Sequence, residues 1–128
     1  MSRQPWVEGG CHCGAVRFRA QISEASPLEC NCSICAMKAY IHLIIPEASF
    51  ELLMGSAELT TYRFGTRTAA HTFCSRCGVA PFYRPRSHPR SVDVNARCVD
   101  GLDLSALNIA LFHGEQWEEN IHQIAGES

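Results

Sequence analysis

Eight cysteines in a chain of 128 residues constrain the fold more than any other feature of the sequence. They form a C-x-C pair, a C-x-x-C pair, a C-x-C-x-x-C triplet and one single residue: Cys11 and Cys13, Cys74 and Cys77, Cys30, Cys32 and Cys35, and Cys98. Structural zinc takes four thiolate or imidazole ligands in a tetrahedron, whereas catalytic zinc leaves one position for water or substrate. The two pairs can therefore close one site. The triplet can form a second site with a vacancy, unless Cys98 fills it.

A disulfide framework is the alternative interpretation of so many cysteines. Cysteines in a C-x-C pair make poor disulfides with each other. Residues 1–10 contain no apolar stretch or cleavage site typical of a signal peptide, and the longest apolar run, residues 41–46, is too short to span a membrane. We therefore expect a cytoplasmic protein with reduced thiols that bind metal and no membrane association.

The chain is short enough to form one domain, residues 1–128, with a core over about residues 7–117. Its net charge of −2 hides a segment, residues 59–92, with six arginines and no acidic residue. Such a segment attracts an anionic small molecule or a phosphate backbone. A solvated face balanced by the acidic C-terminal part is an equally good interpretation.

Short segments of alternating or β-branched residues, separated by turn signals, predict a mainly β fold. We predict strands at residues 15–22, 40–45, 50–54, 59–64, 68–73, 79–83 and 91–96, and helical turns at residues 33–38 and 104–111.

The two cysteine pairs occur in turns that are typical of metal knuckles. Gly14 and Gly78 each follow the second cysteine of a pair. A glycine with positive φ lets backbone amides turn toward the thiolates and stabilise their charge. A zinc ion on both pairs would close about half of the domain into one loop and supplement a small core.

The triplet leaves more alternatives open. Three thiolates on zinc leave a fourth position for an incoming thiolate, and such a site suits chemistry between a thiolate and an electrophile. Asn31 and Ser33 either orient a substrate or cap the turn. Cys98 is a small buried side chain, a substrate-facing thiol or a fourth ligand. His71 is either a proton shuttle or an ordinary strand histidine.

Three ordered motifs, Gly9-Gly10-Cys11-His12-Cys13-Gly14-Ala15-Val16-Arg17-Phe18, Cys30-Asn31-Cys32-Ser33-Ile34-Cys35 and Phe73-Cys74-Ser75-Arg76-Cys77-Gly78-Val79, resemble the glutathione-dependent formaldehyde-activating enzyme family. That family includes centromere protein V, to which the segment Phe82-Tyr83-Arg84-Pro85-Arg86-Ser87 is similar. The resemblance covers about residues 7–117.

The resemblance implies a zinc-stapled β-tent of small antiparallel sheets with one or two short helices. It also implies two zinc ions per chain: a structural zinc on Cys11, Cys13, Cys74 and Cys77, and an open zinc on Cys30, Cys32 and Cys35. The implied activity is that of a carbon–sulfur lyase that combines glutathione, as co-substrate, with formaldehyde to give S-hydroxymethylglutathione.

The leading hypothesis is therefore an enzyme that joins glutathione or a similar thiol to formaldehyde or another small aldehyde at the open zinc. Arg67, Arg84 and Arg86 are candidates to bind the glutathione carboxylates, because guanidinium groups pair bidentately with carboxylates. The alternative is a non-catalytic zinc module that binds protein or nucleic acid through the arginine-rich segment. The acidic overall balance disfavours nucleic acid. The sequence leaves a monomer and a homodimer both open.

Overall fold

The computed structural model describes residues 5–30, 33–63, 70–85 and 90–112. These residues form ten strands and one α-helix: β1 (Val7–Gly10), β2 (Arg17–Ala20), β3 (Leu28–Cys30), α1 (Ser33–Lys38), β4 (Ile41–Pro46), β5 (Phe50–Met54), β6 (Leu59–Tyr62), β7 (His71–Cys74), β8 (Phe82–Tyr83), β9 (Ser91–Asn95) and β10 (Ala110–Phe112). Single 3₁₀ turns lie at Glu47–Ser49, Ser56–Glu58, Ala96–Cys98 and Leu104–Ala106. The prediction of a mainly β fold with few helices is confirmed.

The described strands form three small sheets. A three-stranded sheet has the order β1-β2-β5, a five-stranded sheet has the order β10-β3-β4-β9-β8, and β6 pairs with β7 alone. The described strand pairs are antiparallel except β10 with β3, where Ala110 lies opposite Leu28 and Phe112 opposite Cys30 in a parallel arrangement. The expectation of antiparallel sheets is therefore corrected for this one edge.

The main core lies between the three-stranded and five-stranded sheets. Alternate residues of β4, namely Ile41, Leu43 and Ile45, face this core and are at most 4% exposed. Phe18 of β2 is fully buried there and stacks on Phe50 of β5 with ring centroids 5.5 Å apart. Burying a side chain of this size contributes about 1.5–3 kcal/mol, so Phe18 anchors one sheet on the other.

The opposite face of β4 and β9 is polar although it is also buried. His42 lies between the core residues Ile41 and Leu43, and Asp93 lies between Val92 and Val94. Because successive side chains of a strand point to opposite faces, both polar groups point away from the main core. His42 is 3% exposed and Asp93 is 1% exposed. The five-stranded sheet thus has a buried polar face as well as a buried apolar one.

The two predicted helical turns had different outcomes. The first is α1, with the predicted bounds, and it ends before Ala39, which has φ of 53°. The second was predicted to continue to residue 111, but the turn ends at Ala106 because Leu107 has an extended backbone. At its start, the Asp103 side chain caps the turn by accepting a hydrogen bond from the Ser105 amide. Residues 110–112 form β10 because β3 offers them a pairing edge.

Candidate metal centre

The two cysteine pairs occupy turns of the same design. The first turn connects β1 to β2, and the second follows β7. In the first, the Cys11 amide donates to the Val16 carbonyl at 3.1 Å, and in the second the Cys74 amide donates to the Val79 carbonyl at 2.9 Å. In both, the first cysteine bonds to the residue five positions later. This closure folds the intervening residues into a knuckle that presents both thiols on one side.

A glycine in the left-handed region completes each knuckle. Gly14 has φ of 82° and Gly78 has φ of 80°. Their amides donate to the carbonyls of Cys11 at 3.2 Å and Cys74 at 2.8 Å. A Cβ at either position would meet nothing within 4 Å. The backbone conformation, and not lack of space, therefore requires glycine here, as the sequence predicts.

The knuckles bring the four paired cysteines together. The Sγ atoms of Cys11, Cys13, Cys74 and Cys77 all lie within 4.8 Å of one another. The separation is 3.6 Å between Cys11 and Cys13, and 3.7 Å between Cys13 and Cys74. A tetrahedron with zinc–sulfur bonds of 2.3 Å has sulfur–sulfur edges of roughly 3.8 Å. The four thiols therefore fit a zinc ion, and this is the grouping that the sequence predicts.

Backbone amides point at the sulfurs of this group. The Val16 amide donates to Cys11 Sγ at 3.3 Å, and the Arg76 amide donates to Cys74 Sγ at 3.4 Å. Burial acts to raise the pKa of Cys77, but hydrogen bonds from the backbone of Val79 and Cys13 and from neighbouring thiols lower it to about 6. The site therefore favours thiolate, the form that binds metal.

The same group retains protons when no cation is bound. A backbone hydrogen bond from Ala15 acts to lower the pKa of Cys13, but burial and the neighbouring thiols of Cys11, Cys74 and Cys77 raise it to about 11. A thiol that coordinates zinc is deprotonated. Metal binding at this group would therefore release protons.

The metal centre joins two sheets that share no strand. Cys11 and Cys13 belong to the connection within the three-stranded sheet, whereas Cys74 ends β7 of the two-stranded sheet. Cys11, Val16 and Cys74 form a second, smaller buried cluster, against which Leu52 and Leu59 pack. A two-stranded sheet is marginally stable by itself. An ion on the four thiols would therefore fix β6 and β7 to the rest of the fold.

The structure describes the triplet in part. Cys30 is the last residue of β3, and Cys35 lies in α1, where it is 6% exposed. Asn31 and Cys32 lie outside the described residues. Among the described residues, the four paired cysteines are the group that brings three or more candidate metal ligands together. The three-cysteine site therefore stays a prediction.

A buried polar cluster that the sequence analysis missed lies on the polar face of the five-stranded sheet; its members are Tyr40, His42, Tyr83 and Asp93. His42 Nδ1 lies 2.5 Å from Asp93 Oδ2, and the Tyr40 hydroxyl donates to the Asp93 carbonyl at 2.6 Å. The Tyr83 hydroxyl lies 3.5 Å from His42 Nδ1. The sequence feature that could have revealed this cluster is an ionisable residue in the middle of each of two otherwise apolar strands, His42 in β4 and Asp93 in β9.

Cys98 lies apart from the four-cysteine group. Its Sγ contacts the Ala80 carbonyl at 3.8 Å. Burial, together with the charges of Cys11 and Cys77, raises the pKa of Cys98 to about 11. Cys98 is therefore a protonated thiol that donates to a carbonyl, and it is partly buried.

The remaining candidates are distributed as follows. Arg84 is exposed and pairs with Glu47 at 3.0 Å, while Arg67 and Arg86 lie outside the described residues. His71 is a buried strand residue whose ring stacks on Tyr83 with centroids 4.7 Å apart. Within the described ranges, no helix has the length and apolar character needed to cross a membrane.

Comparisons with known proteins point to one family. The family model described as "Glutathione-dependent formaldehyde-activating enzyme" matches residues 6–117. A Halomonas elongata protein, named "Putative glutathione-dependent formaldehyde-activating enzyme", is 32% identical over 103 residues, which are 73% of this chain and 66% of that protein. The chain thus spans about two thirds of the length of this relative. A crystal structure of a Rhodobacter sphaeroides protein matches with a TM-score of 0.76 and 32% identity, covering 82% of this chain and 99% of that one.

Proposed function

The chain belongs to the glutathione-dependent formaldehyde-activating enzyme family, and on that premise we propose that it combines glutathione, or a similar thiol, with formaldehyde or another small aldehyde. The product is an S-hydroxymethyl adduct, and the reverse reaction makes the protein a carbon–sulfur lyase. We place this activity in one cytoplasmic domain, residues 1–128. Its partners are the thiol and the aldehyde.

The observation that supports this proposal is the separation of the cysteines into two sets with different surroundings. Cys11, Cys13, Cys74 and Cys77 already form a group between two sheets, with their Sγ atoms within 4.8 Å of one another. Cys30 and Cys35 lie at the end of β3 and in α1, beside ionisable residues of the buried polar cluster. A chain that needed zinc for folding alone would be served by the first set. The second set is therefore available for chemistry.

The proposed ligand assignment follows this division. Cys11, Cys13, Cys74 and Cys77 hold a structural zinc, and Cys30, Cys32 and Cys35 hold a second zinc with an open position, so each chain carries two zinc ions. A zinc ion on the triplet would supply positive charge that stabilises a substrate thiolate or polarises an aldehyde carbonyl. Around it, the chain's own residues bind the substrate and handle the proton.

Arg67, Arg84 and Arg86 are proposed to bind the carboxylates of glutathione. Arg84 is the member of this set that the structure describes, and its guanidinium pairs with Glu47 on the surface. The described contact is a single one, from Arg84 Nη1 to Glu47 Oε1 at 3.0 Å, and we propose that a glutathione carboxylate takes the place of Glu47 on this guanidinium. Glutathione would have to displace Glu47. Glu47→Gln should therefore tighten glutathione binding in isothermal titration, whereas Arg84→Ala should weaken it.

The alternative, a non-catalytic zinc module that binds protein or nucleic acid, is less well supported. Arg76 pairs with Glu58 at 3.0 Å and Arg84 pairs with Glu47, so any anionic ligand, phosphate or carboxylate, would have to displace an acidic partner at these two arginines. The enzyme proposal is preferred because the family model matches residues 6–117.

Exchange spectroscopy by NMR tests the proposal. Aldehyde–thiol addition also proceeds without a catalyst, so the rate of interconversion of glutathione and S-hydroxymethylglutathione is compared with and without protein. We expect the zinc-loaded protein to accelerate the exchange, Cys35→Ser to lose the acceleration with its fold retained, and Cys98→Ser to keep it. Equal exchange rates in the presence of wild type and of Cys35→Ser would overturn the proposal.

A further inference from the structure

We propose that His42, held in position by Asp93, carries the proton in the thiol–aldehyde addition at the triplet. This inference rests on the proposed function and deepens it by naming the acid–base group. Its basis is the buried polar cluster, whose members are not among the proposed metal ligands.

The hydrogen bond between His42 and Asp93 fixes the roles of the two imidazole nitrogens. The Nδ1 atom lies 2.5 Å from Asp93 Oδ2. When Nδ1 donates to this carboxylate oxygen, Nε2 carries the lone pair. The same arrangement, a carboxylate that orients a histidine whose second nitrogen moves protons, is the general pattern of an activated base.

Two atoms of this pair have no partner among the described residues. His42 Nε2 and Asp93 Oδ1 are both buried and both lack a hydrogen bond there. Buried polar atoms of a folded protein are nearly all satisfied, and an exception needs an explanation. A ligand that reaches His42 during the reaction supplies one, because Nε2 then gains its hydrogen-bond partner from the substrate.

The cluster adjoins the triplet through two neighbouring strands and through Tyr83. Strand β3, which ends at Cys30, pairs with β4 so that Leu28 lies opposite His42. Burial raises the pKa of Tyr83 well above its usual range, with further contributions from Asp93, Cys35, Tyr40 and Cys30. The Tyr83 hydroxyl lies 3.5 Å from His42 Nδ1. Because residues two apart on a strand point to the same face, Cys30 faces the same side of the sheet as Leu28 and His42.

The proposed step conserves atoms and charge. The S–H bond of the thiol breaks and its proton goes to His42 Nε2, leaving a thiolate and an imidazolium beside Asp93. The thiolate sulfur forms a bond to the aldehyde carbon while the C=O π pair moves to oxygen. The resulting alkoxide takes the proton back from Nε2, giving the S-hydroxymethyl product and a neutral His42. No oxidant or further reactant is needed.

The test compares His42→Asn with Ser91→Ala in the zinc-loaded protein. An asparagine amide at residue 42 retains a donor for Asp93 but lacks Nε2. Ser91 is a matched control because it is a buried polar residue on the same face of β9 as Asp93. General acid–base groups contribute about 10²–10⁴-fold, so we expect His42→Asn to slow the catalysed exchange by about 100-fold or more with unchanged zinc content, and Ser91→Ala by less than about 3-fold. Equal rates for His42→Asn and wild type, or a larger loss for Ser91→Ala, would overturn the proposal.

A second readout does not depend on catalysis. The ¹⁵N resonances of the His42 ring report whether Nε2 carries a proton. Several ionisable groups enter the interpretation of any pH titration. Tyr40, Tyr83 and Asp93 contact the His42 ring, His71 stacks on Tyr83, and Cys30 and Cys35 lie on β3 and α1. On adding glutathione to zinc-loaded wild type, we expect Nε2 to change from unprotonated to protonated, and Cys35→Ser to show no change. An unresponsive Nε2 would overturn the proton-carrier role even if the protein proved to be a catalyst. A responsive Nε2 without rate acceleration would count against the proposed function alone.

Discussion

Replacing Cys74 by serine tests the four-cysteine centre, because its expected effect can be worked out from the structure. Cys74 Sγ and Cys13 Sγ lie 3.7 Å apart across 61 residues of chain. An ion held by both joins the ends of a loop of that length in the folded state, so its binding free energy adds to the free energy of unfolding. The chain-entropy relation for a cross-link of this length gives about 4 kcal/mol at 25 °C.

The expected contribution of the metal cross-link is a large part of the stability of a small domain. The free energy of unfolding of a domain is typically about 5–15 kcal/mol. Cys74 is also fully buried, and its sulfur accepts the Arg76 amide. We therefore expect Cys74→Ser to lower the free energy of unfolding by at least about 4 kcal/mol in the presence of zinc.

Urea unfolding followed by circular dichroism, with zinc and with a chelator, measures this difference. Chelation should destabilise wild type by at least about 4 kcal/mol and Cys74→Ser by much less. Cys98→Ser is the control, since Cys98 contacts the Ala80 carbonyl outside the group, and it should respond to chelation as wild type does. If Cys74→Ser is recovered only unfolded, Cys13→Ser at the exposed member supplies the same comparison. The reasoning is refuted if chelation costs wild type under about 1 kcal/mol, or if it costs the variant as much as wild type.

Three further predictions concern the fold. Gly78→Ala should lower the free energy of unfolding by about 1–2 kcal/mol, because φ is 80° there; thermal unfolding indistinguishable from wild type would contradict this. Phe18→Ala should lower the free energy of unfolding in urea by about 3–5 kcal/mol, since Phe18 is fully buried between two sheets. A decrease under about 1 kcal/mol would show that neighbouring side chains fill the cavity left by the phenyl ring. The hydrogen bond from Arg17 lowers the pKa of Asp100, so this pair stabilises the fold above the ordinary aspartate pKa and loses that effect as pH falls through the folded-state pKa. Asp100→Asn should thus cost under about 1 kcal/mol at pH 7 and nothing in strong acid, and a cost independent of pH would contradict the assignment.

The sequence predicts the grouping of the four paired cysteines well because each knuckle is local. The spacing of two cysteines and a glycine specifies a turn, and the turn presents both thiols whatever the rest of the chain does. The polar cluster is different, because His42 and Asp93 are 51 residues apart and meet only through the register of β4 on β9. Strand register over such a separation depends on the packing of whole sheets, which spacing rules do not contain.

Strand β1 was missed for a related reason. Gly9 and Gly10 are poor strand formers, and the sequence alone gives no cause for a strand there. In the structure a Cβ on Gly9 would lie 2.3 Å from the Cys98 carbonyl oxygen, and a Cβ on Gly10 would lie 2.2 Å from the Val16 carbonyl oxygen. These glycines allow close approach of neighbouring backbone, which is a tertiary requirement.

The parallel pairing of β10 with β3 also has a consequence for how the protein is made. The strand that ends at Cys30 lies between β4 and β10, and its partner Ala110 is encoded 82 positions after Leu28. At a translation rate of about 5–20 residues per second, roughly 4–16 s separate the synthesis of the two strands. During that interval β3 is an edge strand on the nascent chain, and the thiols beside it lack their final neighbour. The Cys30 thiol is therefore open to oxidation, and the edge of β3 to mispairing, before the chain is complete.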